Sequence, residues 1–575
     1  MAAGYAGVIT LQQNLQLSQA SLIAGGSLVG GGITTNANLE LSNTTLDNVI
    51  VNEMQPGQLL LSGPDILQNA ASLNINGGLG RWTGGNITLN TGSILNNNPG
   101  GTLRIECNQS VLSDGLGTFI NQGTVEKPNT PGLVAGVTQI AAKFNTIGAS
   151  QVNADLGSFQ FTGGGAETGQ FNVANGSTME FGVNPKVYSF SGWTAFAGAG
   201  AVTLKDGGTF LLAGGSTVTA FANFTLGSNM SLATLTGDGD FRSFATFTYT
   251  QGFLDGLQTI ENYGTMNLAA LGQPVFIDST LLTNYGTITW TTNNIVLGNE
   301  HNPAYVGKIV NNGTFNWMSG GLMTLTNASV LGEFFNSAGG VVNVLMAGVT
   351  SAGVKVTNNG TIQINNNLFD FRASFVQGST GLLNIGQPGG SVRFMNAAGT
   401  ALTAGYIDAG TVNVAAGSSL AGTTITIGQN ATLRGGATIT GNLVNNGVID
   451  VANTAGNLGN RANNVPLTLT VNGDFTQSAT GTLSLGLLNM ANYSKVVVNA
   501  GDATLGGTLD VYTLIGAVLN LNDHFELIQV GPARNIIGDF DMKLFPPPPM
   551  GRNWLYNANE GNPAGTAVTL RVVAA

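Results

Sequence analysis

The chain has 575 residues, of which 42% are hydrophobic, only 8% are charged and 85 are glycine, with a formal net charge of −11. So much apolar residue speaks against disorder, and scarce Lys, Glu and Arg speak against exposed helix faces, which leaves one long all-β architecture. The charge is dispersed without a Lys/Arg cluster, so no nucleic-acid partner is expected; no apolar run approaches the roughly 20 residues of a membrane-spanning helix, and the single cysteine, Cys107, rules out an internal disulfide framework.

The first residues, Met1-Ala2-Ala3-Gly4-Tyr5, lack the basic start and apolar core of a signal peptide. With the character of the remaining chain, this leads to the expectation of an exported protein whose leader has been removed or is absent from this sequence. Residues 5 to 120 alternate in short runs such as Leu39-Glu40-Leu41 and Leu59-Leu60-Leu61, cut by Gly, Asn and Ser. Cys107 closes the alternating run Leu103-Arg104-Ile105-Glu106-Cys107, where a small buried hydrophobe is expected. Arg81-Trp82-Thr83-Gly84-Gly85 introduces an aromatic followed by a small polar corner. The same feature returns at Tyr249, Trp290 and Trp317, whose rings would stack to fill a core or coat one face.

A second signal starts at Asn121-Gln122-Gly123-Thr124-Val125 and recurs at Asn262-Tyr263-Gly264, Asn284-Tyr285-Gly286, Asn311-Asn312-Gly313, Asn358-Asn359-Gly360 and Asn445-Asn446-Gly447. Asn336-Ser337-Ala338-Gly339 is a degenerate copy, and Asn145 is counted as one more step after Asn121. From Asn262 the steps run 22, 27, 25 and 22 residues, a period that belongs to a solenoid rather than to independent hairpins. In each copy an apolar run ends at a polar pair, Gly is expected to supply a positive-φ corner, and Thr or Val restarts a strand. Stacked Asn side chains can then hydrogen-bond the Asn above and below. Between 146 and 250 the signature weakens, so irregular coils or a lateral excursion are expected, notably at 183–200. Strand-like runs 11 to 14 residues apart between 405 and 455 suggest two or three strands per coil.

The texture shifts after Asn464. Leu469-Thr470-Val471-Asn472-Gly473-Asp474-Phe475-Thr476-Gln477 and Gly481-Thr482-Leu483-Ser484-Leu485 are followed by Lys495-Val496-Val497-Val498, Gly507-Thr508-Leu509-Asp510-Val511 and Phe525-Glu526-Leu527-Ile528 with Gly538-Asp539-Phe540. Over about 465–573 this resembles the last passenger coils and stabilising C-terminal region of bacterial autotransporters. Upstream, the texture is similar only in general to autotransporter passengers and β-strand-repeat surface proteins. The resemblance implies a right-handed parallel β-helix, export, and a cell-surface or extracellular location. No outer-membrane barrel of amphipathic strands follows Val573, which departs from the family pattern.

Chemistry is hard to find in the sequence. A polysaccharide lyase or hydrolase on this fold needs convergent carboxylates or acids holding calcium, and the 29 acidic residues are scattered singly. Gly237-Asp238-Gly239-Asp240 occurs once and reads as a tight turn; Asp539 and Asp541 alternate with no identifiable base. His301, beside Glu300, and His524 are isolated, so neither a metal site nor a catalytic histidine is expected, and no cofactor. The sequence therefore predicts a single elongated right-handed parallel β-helix, with coils of about 22–27 residues over 1–464 and a capping module over 465–575. The expected function is non-catalytic: a structural, self-associating surface or matrix protein, end to end or side by side. Alternatives are an adhesin for surface glycans, a polysaccharide-cleaving enzyme and a phage tail fibre.

Overall fold

The computed structural model describes residues 7–182, 185–228, 232–298, 307–326, 332–346, 348–365, 367–386, 389–453, 465–560 and 566–575. Among these there is no helix, and none therefore long and apolar enough to cross a membrane. The chain divides into two compact units, one of residues 1–286 with 299–307 and the other of 287–298 with 308–575. Each is a right-handed parallel β-solenoid, with about 21 turns between them.

The building block is a four-residue strand whose side chains point alternately out and in. In Thr259–Asn262, Ile260 and Asn262 are buried while Thr259 and Glu261 face outward. Lys308–Asn311, Glu333–Asn336 and Lys355–Asn358 repeat the pattern. This follows from the two-residue period of an extended chain, with one apolar and one amide side chain inside. Three strands make a coil: Thr259–Asn262, Thr265–Leu268 and Val275–Asp278 precede the return at Leu281–Asn284. Coils pair in parallel with equivalent strand positions in register, as in Thr259↔Leu281 and Asn262↔Asn284 of the first unit, or Lys308↔Glu333↔Lys355 of the second.

In the first unit the region with the weak Asn signature keeps stacking in parallel, with a register shift between Glu167 and Gly169. Its interior is filled by rings instead: Phe161 stacks on Phe181 at 4.8 Å, and Phe181, Phe210 and Phe224 continue the column. In the second unit the indoles of Trp290 and Trp317 are buried with centroids 4.7 Å apart. Trp82, Tyr249, Trp290 and Trp317 thus fill the core rather than coat a face. The polar corner behind three of these rings has a reason. Trp82 Nε1 donates to the Gly85 carbonyl at 2.8 Å and Trp290 Nε1 to the Thr292 carbonyl at 2.9 Å, while the Tyr249 hydroxyl donates to Gly252. A buried ring with a polar tip usually finds such a partner.

The second unit ends differently from its coils. His524–Val530 pairs in parallel with Lys495–Val498 on one side, but its other edge meets Ala567–Ala574 running antiparallel, and Arg552–Glu560 pairs antiparallel with that strand. The hairpin occupies the edge on which a further parallel coil would grow.

The glycines of the Asn corners have a role other than the one expected. Gly123, Gly264, Gly286, Gly360 and Gly447 do not have positive φ. They are held by contact between coils: a Cβ on Gly286 would lie 2.1 Å from the Gly264 carbonyl oxygen, and one on Gly264 would lie 2.2 Å from that of Ala245. Backbone meets backbone here, so no side chain can swing aside. Cys107 also differs from expectation, lying half-buried beyond the strand Thr102–Ile105. A Gly286→Ala substitution is expected to cost about 1–3 kcal/mol, the range for forcing a methyl into a filled site. Tyr285→Ala, one residue away and facing solvent, should cost less. Denaturation midpoints of the two variants, compared with wild type, check the order.

Candidate functional site

The Asn corners form hydrogen-bonded runs inside each unit. In the second unit Asn311 Nδ2 donates to Asn336 Oδ1 at 2.8 Å, Asn336 Nδ2 to Asn358 Oδ1 at 2.8 Å, and Asn358 Nδ2 to Gln377 Oε1 at 3.0 Å. Asn445 donates likewise to Gln477 at 2.8 Å. The other amide hydrogen reaches the carbonyl that opens the following strand one coil on: Asn311 to Val341, Asn358 to Leu382, Asn445 to Thr482. In the first unit Asn97 donates to Asn121 and Asn262 to Asn284, each at 2.8 Å. Asn121, Asn262, Asn284, Asn311, Asn358 and Asn445 are all fully buried. A buried amide left unpaired costs about 1–3 kcal/mol, so the row is stable only as a connected series.

Asn145 is not a member. It pairs with Ile120, half-exposed, and Thr146 takes the inward position opposite Asn121. One residue of offset puts a side chain on the other face of a strand. The row then passes from Thr146 Oγ1, which donates to Glu167 Oε2 at 2.8 Å. Toward the N-terminus it runs from Asn97 through Ile75 to Glu53 and Thr35.

That placement explains two of the three most perturbed acids. Burial raises the carboxyl of Glu167 to about 8, against hydrogen bonds from Thr146, and that of Glu53 to about 7. Burial likewise raises Asp65 to about 7, although the Thr44 amide donates to it at 2.9 Å. Perturbed acids often mark active sites, but Glu53 and Glu167 replace Asn in an interior row and are buried. Among the described residues no three His, Cys, Asp or Glu side chains gather as metal ligands. His301 lies outside the described residues. His524 Nε2 stands 3.6 Å from Glu560 Oε2 in the terminal hairpin. Asp240 accepts from Thr259 Oγ1, Asp539 from Tyr556 and Lys543, and Asp541 from the Gly507 amide, so each is used in local structure.

Several outward-facing charges are paired between coils. Arg81 bonds Glu106 at 2.6 Å, Arg104 bonds Glu126 at 2.8 Å, and Arg242 bonds Glu261 at 2.8 Å. Glu333 sits between Lys308 and Lys355 at 2.8 and 3.0 Å. Burial would raise its carboxyl, but the hydrogen bonds from Lys308, Thr357 and Lys355 outweigh it and hold the group near 2.

One surface feature of the first unit stands apart. Phe221, Phe244, Tyr263 and Tyr285 occupy the outward position of four successive corners, each 41–50% exposed. Their rings stack at 5.0, 4.7 and 4.8 Å with interplanar angles of 21°, 4° and 9°. Tyr263 and Tyr285 are the middle residues of two Asn-Tyr-Gly corners, but Phe221 and Phe244 carry no corner motif. Only the pairing of their strands, Thr217–Ala220 with Asp240–Ser243 and that with Thr259–Asn262, brings them into line.

No protein-family model matches this chain, and no curated protein matches it.

Two measurements probe the interior row. Asn336→Ala removes a donor to Asn358 and the acceptor for Asn311, and is expected to cost about 2–4 kcal/mol with faster amide exchange in the coils on both sides. Exchange confined to the substituted corner would contradict a connected row. For the acids, the sign is set by the raised values. A carboxyl held above its unfolded value adds stability that is complete below the ordinary carboxylate range and is lost as pH rises toward about 8. The melting temperature should therefore fall between about pH 5 and pH 8, and Glu167→Gln should lessen the fall.

Proposed function

We propose that this protein is a non-catalytic structural β-solenoid of the cell surface or extracellular space, comparable in role to an autotransporter passenger, and that copies associate side by side through the aromatic ladder of the first unit. The ladder is the observation that carries this reading. Its four rings spend their faces on one another and turn their edges outward, so they form an apolar ridge rather than a platform for a flat ligand. The spacing along the ridge is that of parallel β-coils. A partner that meets every rung must carry the same repeat, and a second copy of the chain does.

The surrounding surface supports the same conclusion. Arg242 and Glu261, beside the ridge, neutralise each other, so bringing two such faces together opposes no net local charge. The antiparallel hairpin on His524–Val530 favours lateral over end-to-end association at that end, because the strand edge there is already used. The most perturbed acids are buried, and Glu106, Glu126, Glu261 and Glu333 are held in coil-to-coil ion pairs, which favours a scaffold over a hydrolase or lyase.

Sedimentation velocity over a concentration series, with negative-stain microscopy, tests the proposal. Wild type is expected to form laterally paired particles, and the double variant Phe244→Ser/Tyr263→Ser to shift to the single chain with an unchanged β-sheet circular dichroism spectrum. A wild type that stays monomeric at the highest attainable concentration, or a variant that associates equally well, would sink the proposal.

A further inference from the structure

We propose that the first unit carries a binding site for a neutral oligosaccharide, in a groove walled by Trp193. The groove has a volume of about 530 Å³, inside the roughly 300–1,000 Å³ range of small-ligand sites. It crosses three successive coils at equivalent positions: Ser150-Gln151, Thr168-Gly169-Gln170 and Ser191-Gly192-Trp193. Gln151 and Gln170 are register partners, and Gln170 pairs in turn with Ala195, two residues past Trp193. A ligand lying in the groove would therefore run along the coil stack, meeting an amide at each of two steps and the indole at the next.

Trp193 is the anomaly that leads here. Trp82, Trp290 and Trp317 are buried, and Trp554 is half-buried with its Nε1 donating to the Pro546 carbonyl at 2.8 Å. Trp193 is 57% exposed and has no hydrogen-bond or ring partner among the described residues. An indole left in water costs free energy that folding usually recovers by burial. Unlike the ladder rings, it is not stacked, so its face is free for the C–H face of a pyranose. The neighbouring polar groups suit the hydroxyls of such a ring. Gln170 Nε2 donates to Asn172 Oδ1 at 2.7 Å, which fixes the amide and leaves its carbonyl as an acceptor, and Gln151 supplies a second amide.

Charge decides the ligand class. The groove's described lining residues are all uncharged, and the protein carries a net charge of −11. A phosphate, a nucleotide or a uronic acid would be desolvated there without a cation to pair it. A polyol with one apolar face needs what the groove has: a free aromatic face, two amides and hydroxyls. Close passage of the chain is possible because Gly148 and Gly192 carry positive φ and no side chain at its rim.

The test uses the full chain in the Phe244→Ser/Tyr263→Ser background, so that loss of lateral association and loss of sugar binding are read separately. Cello-, xylo-, manno-, laminari- and chito-oligosaccharides are titrated at up to millimolar concentration, following Trp emission and saturation-transfer NMR, with polygalacturonate as a charged comparison. At least one neutral oligosaccharide is expected to bind saturably, blue-shift the exposed Trp emission and show little dependence on salt. Trp193→Ala should weaken it at least about tenfold, as for an aromatic anchor. Trp193→Phe should restore part of the affinity, and neither should move the melting temperature. The inference is overturned if no neutral oligosaccharide in the panel binds, if Trp193→Ala binds it equally well, or if polygalacturonate binds more tightly.

Discussion

A parallel solenoid converts each position of a coil into a row, and every residue must tolerate its counterpart one coil away. That constraint governs the structure at every level. Asn satisfies it inside because an amide is both donor and acceptor: Asn336 accepts from Asn311 and donates to Asn358 along one line. An acid or a hydroxyl can occupy the row only as a substitute, and the carboxyls of Glu53 and Glu167 are raised because they have taken an amide's place inside the coil. Glycine satisfies the constraint where backbones approach too closely for any side chain, as at Gly264 and Gly286.

The same rule organises the exterior. A row of like charges at this spacing would repel; Lys308, Glu333 and Lys355 alternate in sign, while Arg81 and Arg104, which meet in register, are each paired with a glutamate. A row of aromatic rings is cohesive, and the four corners from Phe221 to Tyr285 join face to face. Where the rule is broken the surface changes character. Trp193 pairs with Thr217 rather than another ring, so its face stays open. Interior order and surface chemistry therefore follow from a single repeat distance.

Stability in such an architecture is mostly local to neighbouring coils. A defect at one corner is felt above and below it, and the hairpin at the end of the second unit protects an edge rather than closing a core. Function on this scaffold belongs to surfaces and rows, since a single coil contributes only one or two side chains to any site.

Much of this was legible in the chain itself. The period of the Asn-x-Gly corners, the alternation within four-residue strands and the scarcity of charge together determined an all-β solenoid with an inward amide at each corner. The tertiary structure alone decided the register. Coils differ in length because their corners do, so a spacing that varies from 19 to 23 residues hides the alignment of Phe221, Phe244, Tyr263 and Tyr285 until strand pairing sets it. For the same reason Thr146, and not Asn145, joined the row: one residue of slip turns a side chain from the core to the solvent. The role of the corner glycines was likewise invisible in sequence, since a requirement for missing atoms is set by the neighbouring coil's carbonyl and not by the local chain. Local sequence specifies which residues face inward; hydrogen bonds between coils specify which residues meet.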